Sequence, residues 1–265
     1  MNKVLDFIAK SRRGRYWLGK ISNREDFDPV FDIMANRVEN GLRRLARQGL
    51  APDVVIDVGA NVGTWTQSML PIFRRASFLM IEAQPNLHDA LRAVEALSNG
   101  RARPVFKMLG EKNDDRVPFF LNGTGSSRYE EMTSFPRERT VIPMTTLDAV
   151  MQDQGHASSG STLLKLDVQG AELDVLGGAR ATLQRTDAIL LEASLVQYNA
   201  GAPRVADIID ALDGLDFHLF DIVDLRRIGT VLAQTDLIFV PKEGFLDRQA
   251  RSVIHSYGRA EPGAQ

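Results

Sequence analysis

Three features of the sequence predict an α/β fold, a seven-stranded, mostly parallel open sheet with helices on both faces. Short runs rich in Val, Ile, Leu and Phe alternate with helix-length segments from Pro52 onward. Most of these runs are apolar on both faces, as strands must be when helices cover a parallel sheet from both sides. A glycine-rich turn, Gly59-Ala60-Asn61-Val62-Gly63, follows the first run and opens a helix, the place where such sheets keep their ligand sites.

Residues 1–50 read as an N-terminal helical cap. Phe31, Ile33, Met34, Val38, Leu42 and Leu45 recur at three- and four-residue steps, which puts them on one helix face. That face needs a cover: the main domain, a second copy of the chain in a homodimer, or a substrate cleft over which it acts as a lid. Residues 51–242 form the main domain. VVIDV (54–58), SFLMIEA (77–83), RPVFKML (103–109), TLLKLDV (162–168), AILLEAS (188–194), FHLFDIV (217–223) and DLIFVP (236–241) read as its strands. Helical spacing marks 63–74, 86–97, 145–152, 171–184 and 203–213. Between the last two strands LRRIGTVLAQT has turn signals and no helix, so those strands are expected as an antiparallel pair with the last strand reversed. Segment 111–144 breaks the rhythm: VPFFL and TVIPM flank the polar GTGSSRYEE, the pattern of an inserted hairpin. Residues 243–265 are read as a C-terminal tail that ends in GRAEPGAQ.

Composition narrows the function. Among 265 residues, 32 Lys and Arg stand against 34 Asp and Glu, a net charge of −2, so no uniform positive field recruits nucleic acid or an anionic membrane. No cysteine is present, which removes thiolate nucleophiles, iron–sulfur clusters, cysteine-ligated zinc and disulfides. The longest uncharged stretch, Val58 to Phe73, includes Gly59, Asn61 and Pro71 and is too short and polar to span a bilayer. At the start, a cationic cluster follows a short apolar stretch, the reverse of a secretory signal. The expectation is a cytoplasmic protein without membrane insertion and without a nucleic-acid partner.

The glycine turn carries the first chemical signal. Its glycines free the backbone for close approach of a ligand, but the dinucleotide fingerprint wants Gly-x-Gly-x-x-Gly, and here Asn61 stands at the second glycine position while Gly63 comes early. A cofactor without a pyrophosphate tolerates that change, and S-adenosyl-L-methionine is one. Asp57, at the strand end, suits its cationic amino acid moiety. Glu82, 19 residues beyond Gly63 at the end of the second strand, suits the two ribose hydroxyls. The second signal is LLKLDVQGAELDVLGGA (163–179): Asp167 ends a buried strand where ligands bind, and Gly170 permits a sharp turn. Glu172 opens a helix and serves equally well as a partner of the helix dipole or as a ligand contact.

With VVIDVGANVGTWT, IEAQPN, TTLDAV, LLKLDVQGAELDVLGGA and ILLEAS, the stretch 53–241 resembles the FkbM family of S-adenosylmethionine-dependent methyltransferases, of the class I, Rossmann-like type. The string Lys165 to Glu172 is the particular part of that resemblance. It implies a methyltransferase that transfers to a hydroxyl of a sugar, glycan or secondary metabolite. It also implies that Asp57, Gly59, Ala60, Asn61 and Gly63 hold the methionine part and Glu82 the ribose. Gly110 and Glu111, with Lys112, would border the adenine, and Asp167 would lie beside the transferred methyl group.

Methyl transfer to an aliphatic hydroxyl needs alignment and a base. Asp167 is the first candidate and Glu192, at the end of the fifth strand, the second; His88 and His218 are weaker. Asp167 and Glu192 end neighbouring strands, and together they could hold a magnesium ion, although no third oxygen ligand is evident. Ser126, Arg128, Tyr129, Gln169, Tyr198 and Asn199 are the acceptor-side candidates, because their loops concentrate hydrogen-bonding groups. Competing readings are a nicotinamide-dependent oxidoreductase, which lacks a Tyr-x-x-x-Lys here, a non-catalytic adenosine-binding module, and an RNA methyltransferase, which lacks a basic stripe with aromatics.

Overall fold

The computed structural model describes residues 38–134, 136–158 and 160–257. The apolar positions Phe31, Ile33 and Met34 and the terminal GRAEPGAQ lie outside them.

The chain forms a large sheet from β1 (Val54–Val58), β2 (Ser77–Glu82), β3 (Ala102–Phe106), β7 (Thr162–Leu166), β8 (Thr186–Ser194), β9 (Phe217–Ile228) and β10 (Val231–Pro241). Its seven strands run in the order β3-β2-β1-β7-β8-β10-β9. Neighbours from β3 to β8 pair in parallel, and β10 is antiparallel to both β8 and β9. This is the class I methyltransferase arrangement. The strand order reverses between β1 and β7, and a crevice opens there at the strand ends, where open α/β sheets bind ligands.

Alternation along β1 divides the core. Val54, Ile56 and Val58 face one helical layer, with α4 (Leu147–Asp153), α5 (Glu172–Gly177), α6 (Arg180–Leu183) and α7 (Val205–Gly214). Val55 faces the other, with α1 (Val38–Arg47), α2 (Thr64–Met69), α3 (His88–Leu97) and α8 (Phe245–Tyr257). Both faces of β1 and β7 are therefore buried throughout. On α1, Leu42 and Leu45 turn into this second layer. Helix α8, which buries Leu246 in the same layer, occupies part of the segment expected as a tail.

Four boundaries differ from the expectations, each for a local reason. Helix α2 stops at Met69 because Pro71 has no N–H to continue the ladder. The expected helix over 171–184 breaks into α5 and α6 at Gly177-Gly178, where a Cβ on Gly178 would stand 2.2 Å from the Gly110 carbonyl oxygen. The expected strand 103–109 divides at Lys107: β3 stays in the large sheet, and β4 (Met108–Leu109) pairs in parallel with β6 (Glu138–Thr145). The stretch LRRIGTVLAQT is mostly strand, since β9 and β10 extend through it and leave only Gly229 and Thr230 between them.

The insertion is a small sheet, in which β5 (Asp114–Leu121) runs antiparallel to β6, with the order β4-β6-β5. Met108, Val117, Phe119 and Met144 form its own apolar centre.

Candidate functional site

A cavity of about 630 Å3 opens at the ends of β1, β2, β7 and β8. One side is the first turn. Gly59 has φ +76°, and a Cβ there would lie 1.9 Å from the Asp167 carbonyl oxygen, so only glycine lets the ends of β1 and β7 meet. Asn61 takes φ +50°, which its short amide side chain tolerates better than most residues. Its N–H donates to Glu82 Oε2 at 2.8 Å, and Glu82 Oε1 accepts from the N–H groups of Ala83 and Gln84 at 2.8 and 2.9 Å. Glu82 thus ties the two strand-end loops together while lining the cavity.

Asp57 is placed differently from its expected contact with a ligand. It is 0% exposed and absent from the cavity wall. Its carboxylate accepts from Lys165 Nζ at 2.9 Å and Thr66 Oγ1 at 2.7 Å. The reason is register: Asp57 and Lys165 are direct partners on β1 and β7, on the face that packs under α2. Burial works against the Lys165 ammonium, but Asp57 and then Asp167 outweigh it, so its pKa moves up. Ala60 and Gly63 also stay behind the wall, and Gly63, with φ +77°, packs against Leu91 and Val94.

Gly110 and Glu111 likewise fall outside the cavity. Gly110 continues the small sheet, donating its N–H to the Thr145 carbonyl at 2.9 Å, and Glu111 packs on Gly177. Their place on the wall is taken by Lys107, Met108, Leu109 and Phe119, because the chain turns away into β4 two residues earlier than the expected strand would.

The opposite side is a side-chain network. After β7 the turn is braced by Glu172, whose Oε1 accepts from Val168 N at 3.1 Å and Gly170 N at 3.2 Å; burial raises its pKa to about 7. Gln169 sits at φ +53° and donates Nε2 to both Asp167 Oδ1, at 3.0 Å, and Glu192 Oε1, at 2.8 Å. Asp167 Oδ2 lies 3.5 Å from Lys165 Nζ. Glu192 also meets Gln234 Nε2 at 2.7 Å and Arg226 Nη1 at 3.2 Å. Burial, and then the Asp167 charge, push its carboxyl up to about 8. Among the described residues no group of three or more His, Asp or Glu side chains is arranged to hold a metal ion.

The two polar loops singled out in the sequence meet over this network. Ser127 Oγ donates to the Gln169 carbonyl at 2.8 Å, and Asn199 Nδ2 donates to the same oxygen. Met132 N donates to the Tyr198 carbonyl at 2.9 Å and Ala200 N to the Glu130 carbonyl at 2.8 Å. Ser126, Arg128 and Tyr198 line the cavity. Tyr129 and Asn199 support it from behind, with Tyr129 under the Arg128 guanidinium, 5.2 Å from it. Arg128 is itself held by Asp174 at 3.0 Å. The imidazoles fall elsewhere: His88 stacks on Phe106 at 3.7 Å, and His218 Nε2 lies 3.6 Å from Asp247 on α8.

Sequence reasoning missed Arg226 and Gln234, which reach the cavity from β9 and β10. Apolar residues on both sides of Gly229-Thr230 (Leu225, Ile228, Val231 and Leu232) are the hairpin signal that would have placed them. No helix among the described residues is long and apolar enough to cross a membrane.

The family model of the methyltransferase FkbM domain matches residues 57–219. Among solved structures the chain is similar to methyltransferase FkbM from Methylobacillus flagellatus KT, at 18% identity over 71% of this chain and 43% of that one, with a TM-score of 0.47. It is also similar to an S-adenosylmethionine-dependent methyltransferase from Clostridium acetobutylicum ATCC 824, at 8% identity over 88% and 100% of the two chains, TM-score 0.46. A third is magnesium protoporphyrin IX methyltransferase from Synechocystis PCC 6803, at 12% identity over 91% and 100%, TM-score 0.42. The chain spans less than half the length of the Methylobacillus protein. No curated protein matches it. The matched residues cover more than half of the chain and include both the glycine turn and the motif from Lys165 to Glu172, and the chain belongs to the FkbM methyltransferase family.

Proposed function

We propose that the chain is an S-adenosylmethionine-dependent methyltransferase that O-methylates a small polyhydroxylated acceptor, a sugar, glycan or secondary metabolite. The observation that carries this reading is one cavity with two chemistries: a backbone-held turn with Glu82 on one side, and Asp167, Gln169 and Glu192 on the other.

The donor set suits the cofactor. A carboxylate offers about four acceptor positions; Glu82 uses part of them on the N–H groups of Asn61, Ala83 and Gln84 and keeps capacity for a ribose hydroxyl. Met108, Leu109 and Phe119 offer apolar cover for a purine. Asp57 contributes from beneath, by fixing Lys165 and so the place of Asp167. When bound, S-adenosylmethionine supplies an electrophilic methyl group on a sulfonium. What remains for this chain is to orient a hydroxyl, take its proton and exclude water. Asp167 and Glu192 are the carboxylates at that wall, and Asn122, Ser126, Arg128, Glu131 and Tyr198 provide hydrogen-bonding groups for a polar acceptor.

Calorimetry tests the reading. S-adenosylhomocysteine should bind and NAD should not; heat from NAD with none from S-adenosylhomocysteine overturns it. Glu82→Ala should weaken that binding by roughly 1.5–3 kcal/mol, the worth of a hydrogen bond to a charged group. Because three backbone N–H groups lose their acceptor, the variant should also melt earlier. An unchanged affinity removes Glu82 from the cofactor site.

A further inference from the structure

The wall formed by β9 and β10 carries Arg226 and Gln234, which lie beyond the residues that the family model matches. Both act on Glu192, which is 8% exposed, and they treat its two oxygens unequally. Oε1 accepts from Gln169 Nε2 at 2.8 Å and from Gln234 Nε2 at 2.7 Å. Among the described residues Oε2 meets the Arg226 guanidinium alone, at 3.2 Å. The amide orientations are fixed by their other partners: Gln169 Nε2 also donates to Asp167 Oδ1 at 3.0 Å, and Gln234 Oε1 accepts from Arg226 Nη1 at 3.4 Å.

An amide nitrogen donates and does not accept, and a guanidinium does the same. Oε1 is therefore filled by two donors, and a proton that reaches Glu192 has only Oε2 to bind. Once there, it finds no acceptor in Arg226, so the O–H must point to whatever occupies the cavity. We propose that Glu192, through Oε2, is the group that takes the proton from the acceptor hydroxyl, and that Gln169 and Gln234 are positioning residues that close Oε1 and aim Oε2. The inference rests on the methyltransferase reading above. In this step the acceptor O–H bond breaks, its electron pair stays on the acceptor oxygen, and the proton forms a new bond to Oε2, which turns the carboxylate into a neutral acid.

On Asp167, the other carboxylate at the wall, each oxygen has one partner: Gln169 Nε2 on Oδ1 at 3.0 Å and the Lys165 ammonium 3.5 Å from Oδ2. Asp167 acts on Glu192 through its charge, and in the proposed step the proton goes to Glu192 Oε2. The charged and titratable groups that act on Glu192 are Asp167 after β7, Arg226 on β9, Asp236 on β10 and Tyr198 in the loop after β8, with Lys165 on β7 acting in turn on Asp167 and Asp224 on β9 acting on Asp236. Burial and then Asp167 raise the Glu192 carboxyl to about 8, against the pull of Arg226 and the Gln169 hydrogen bond. The proton-accepting form therefore grows as pH rises toward that value, close to the working range where a general base is most effective.

The test needs no acceptor. The full chain, labelled with 13C at the glutamate carboxyls and saturated with S-adenosylhomocysteine, is titrated by NMR, with Glu192→Gln identifying the signal. The parent should show the Glu192 signal with a midpoint far above the usual carboxylate range, alongside the raised Glu172. Gln234→Met keeps the length of the side chain and removes its donor, so the midpoint should rise by about one pH unit, the worth of a hydrogen bond to an ionised group, with S-adenosylhomocysteine affinity unchanged. Gln234→Asn serves the same purpose if the Met variant does not fold. An unmoved midpoint in a variant that still binds S-adenosylhomocysteine, or an ordinary midpoint in the parent, overturns the inference. Failure of the parent to bind S-adenosylhomocysteine overturns the methyltransferase reading instead.

Discussion

On one side of the cavity, Glu82 gathers the N–H groups of Asn61, Ala83 and Gln84, with at most 21 residues of sequence between donor and acceptor. On the other, Glu192 is held by side chains, the farther of its two amide partners lying 42 residues away. The first side is built from backbone groups and strand ends, so its shape follows from the sheet itself. The second is assembled from the loops after β7 and β8, the insertion and the β9–β10 hairpin. On the proposed reading the backbone-built side would hold the cofactor and the side-chain-built side the acceptor, and loops on a fixed scaffold are where specificity can change without disturbing the sheet.

The harshest way to test that contrast is Gly59→Ala. The left-handed φ alone is costly for a residue with a Cβ, and here the added carbon would meet the Asp167 carbonyl oxygen at 1.9 Å. Neither backbone can yield without parting β1 from β7, so the expected loss is on the order of 4 kcal/mol or more, read by urea unfolding, with S-adenosylhomocysteine binding abolished. Near-normal stability would mean that the strand-end contact is soft and that the rim is less rigid than the backbone geometry requires.

The same contrast explains what was legible. VVIDVGANVG is contiguous, and a strand, a glycine turn and a helix in that order reveal a crevice without any knowledge of distant partners. Asp57 shows the limit of such reading. Its place at a strand end suggested a ligand contact, yet Lys165 stands opposite it on β7, and the pairing is visible only as two opposite charges at the same position of two apolar runs. Glu172 could be read two ways and turned out to brace the turn around Gln169. In the sequence the β9–β10 extension has the look of a turn, since Arg226, Arg227, Gln234 and Thr235 interrupt the apolar pattern. Arg226 and Gln234 interrupt it because there the strands face a polar cavity and not a helix.

Charge on the network side gives a second, smaller test. Burial raises Glu172 to about 7 and Glu192 to about 8. Both keep their protons in the folded chain at pH values where an unfolded glutamate has lost its own. That contribution to stability is whole below the usual glutamate pKa, and it is lost as pH rises through the folded values. For Glu172 the loss is on the order of 3 kcal/mol, so urea midpoints should fall steadily between pH 5 and pH 8. Glu172→Gln keeps an oxygen that can accept from Val168 and Gly170 and removes the titration, so it should flatten that fall. An equally steep fall in the variant would place the pH sensitivity elsewhere.

The smallest expected effect comes from a second glycine with positive φ, in the insertion loop. Gly123 sits at φ +55°, but a Cβ there would meet nothing within 4 Å, whereas at Gly59 it meets backbone. Gly123→Ala should therefore cost only the backbone preference, about 1 kcal/mol, and leave S-adenosylhomocysteine binding unchanged. The loop is tied down by side chains that the substitution does not touch: Asn122 Nδ2 on Glu131 at 2.5 Å, Ser126 Oγ on Gln84 at 2.9 Å and Ser127 Oγ on Gln169. If the two glycines behave alike, the loop is as rigidly fixed as the rim, and the division between a backbone-built side and a side-chain-built side fails. If Gly123→Ala is mild while Ser127→Ala, which frees the loop from the Gln169 carbonyl, loosens the loop more, then it is side-chain bonds that hold the acceptor wall. Hydrogen exchange of the 122–132 amides distinguishes these outcomes, because it reads opening of the loop separately from unfolding of the sheet.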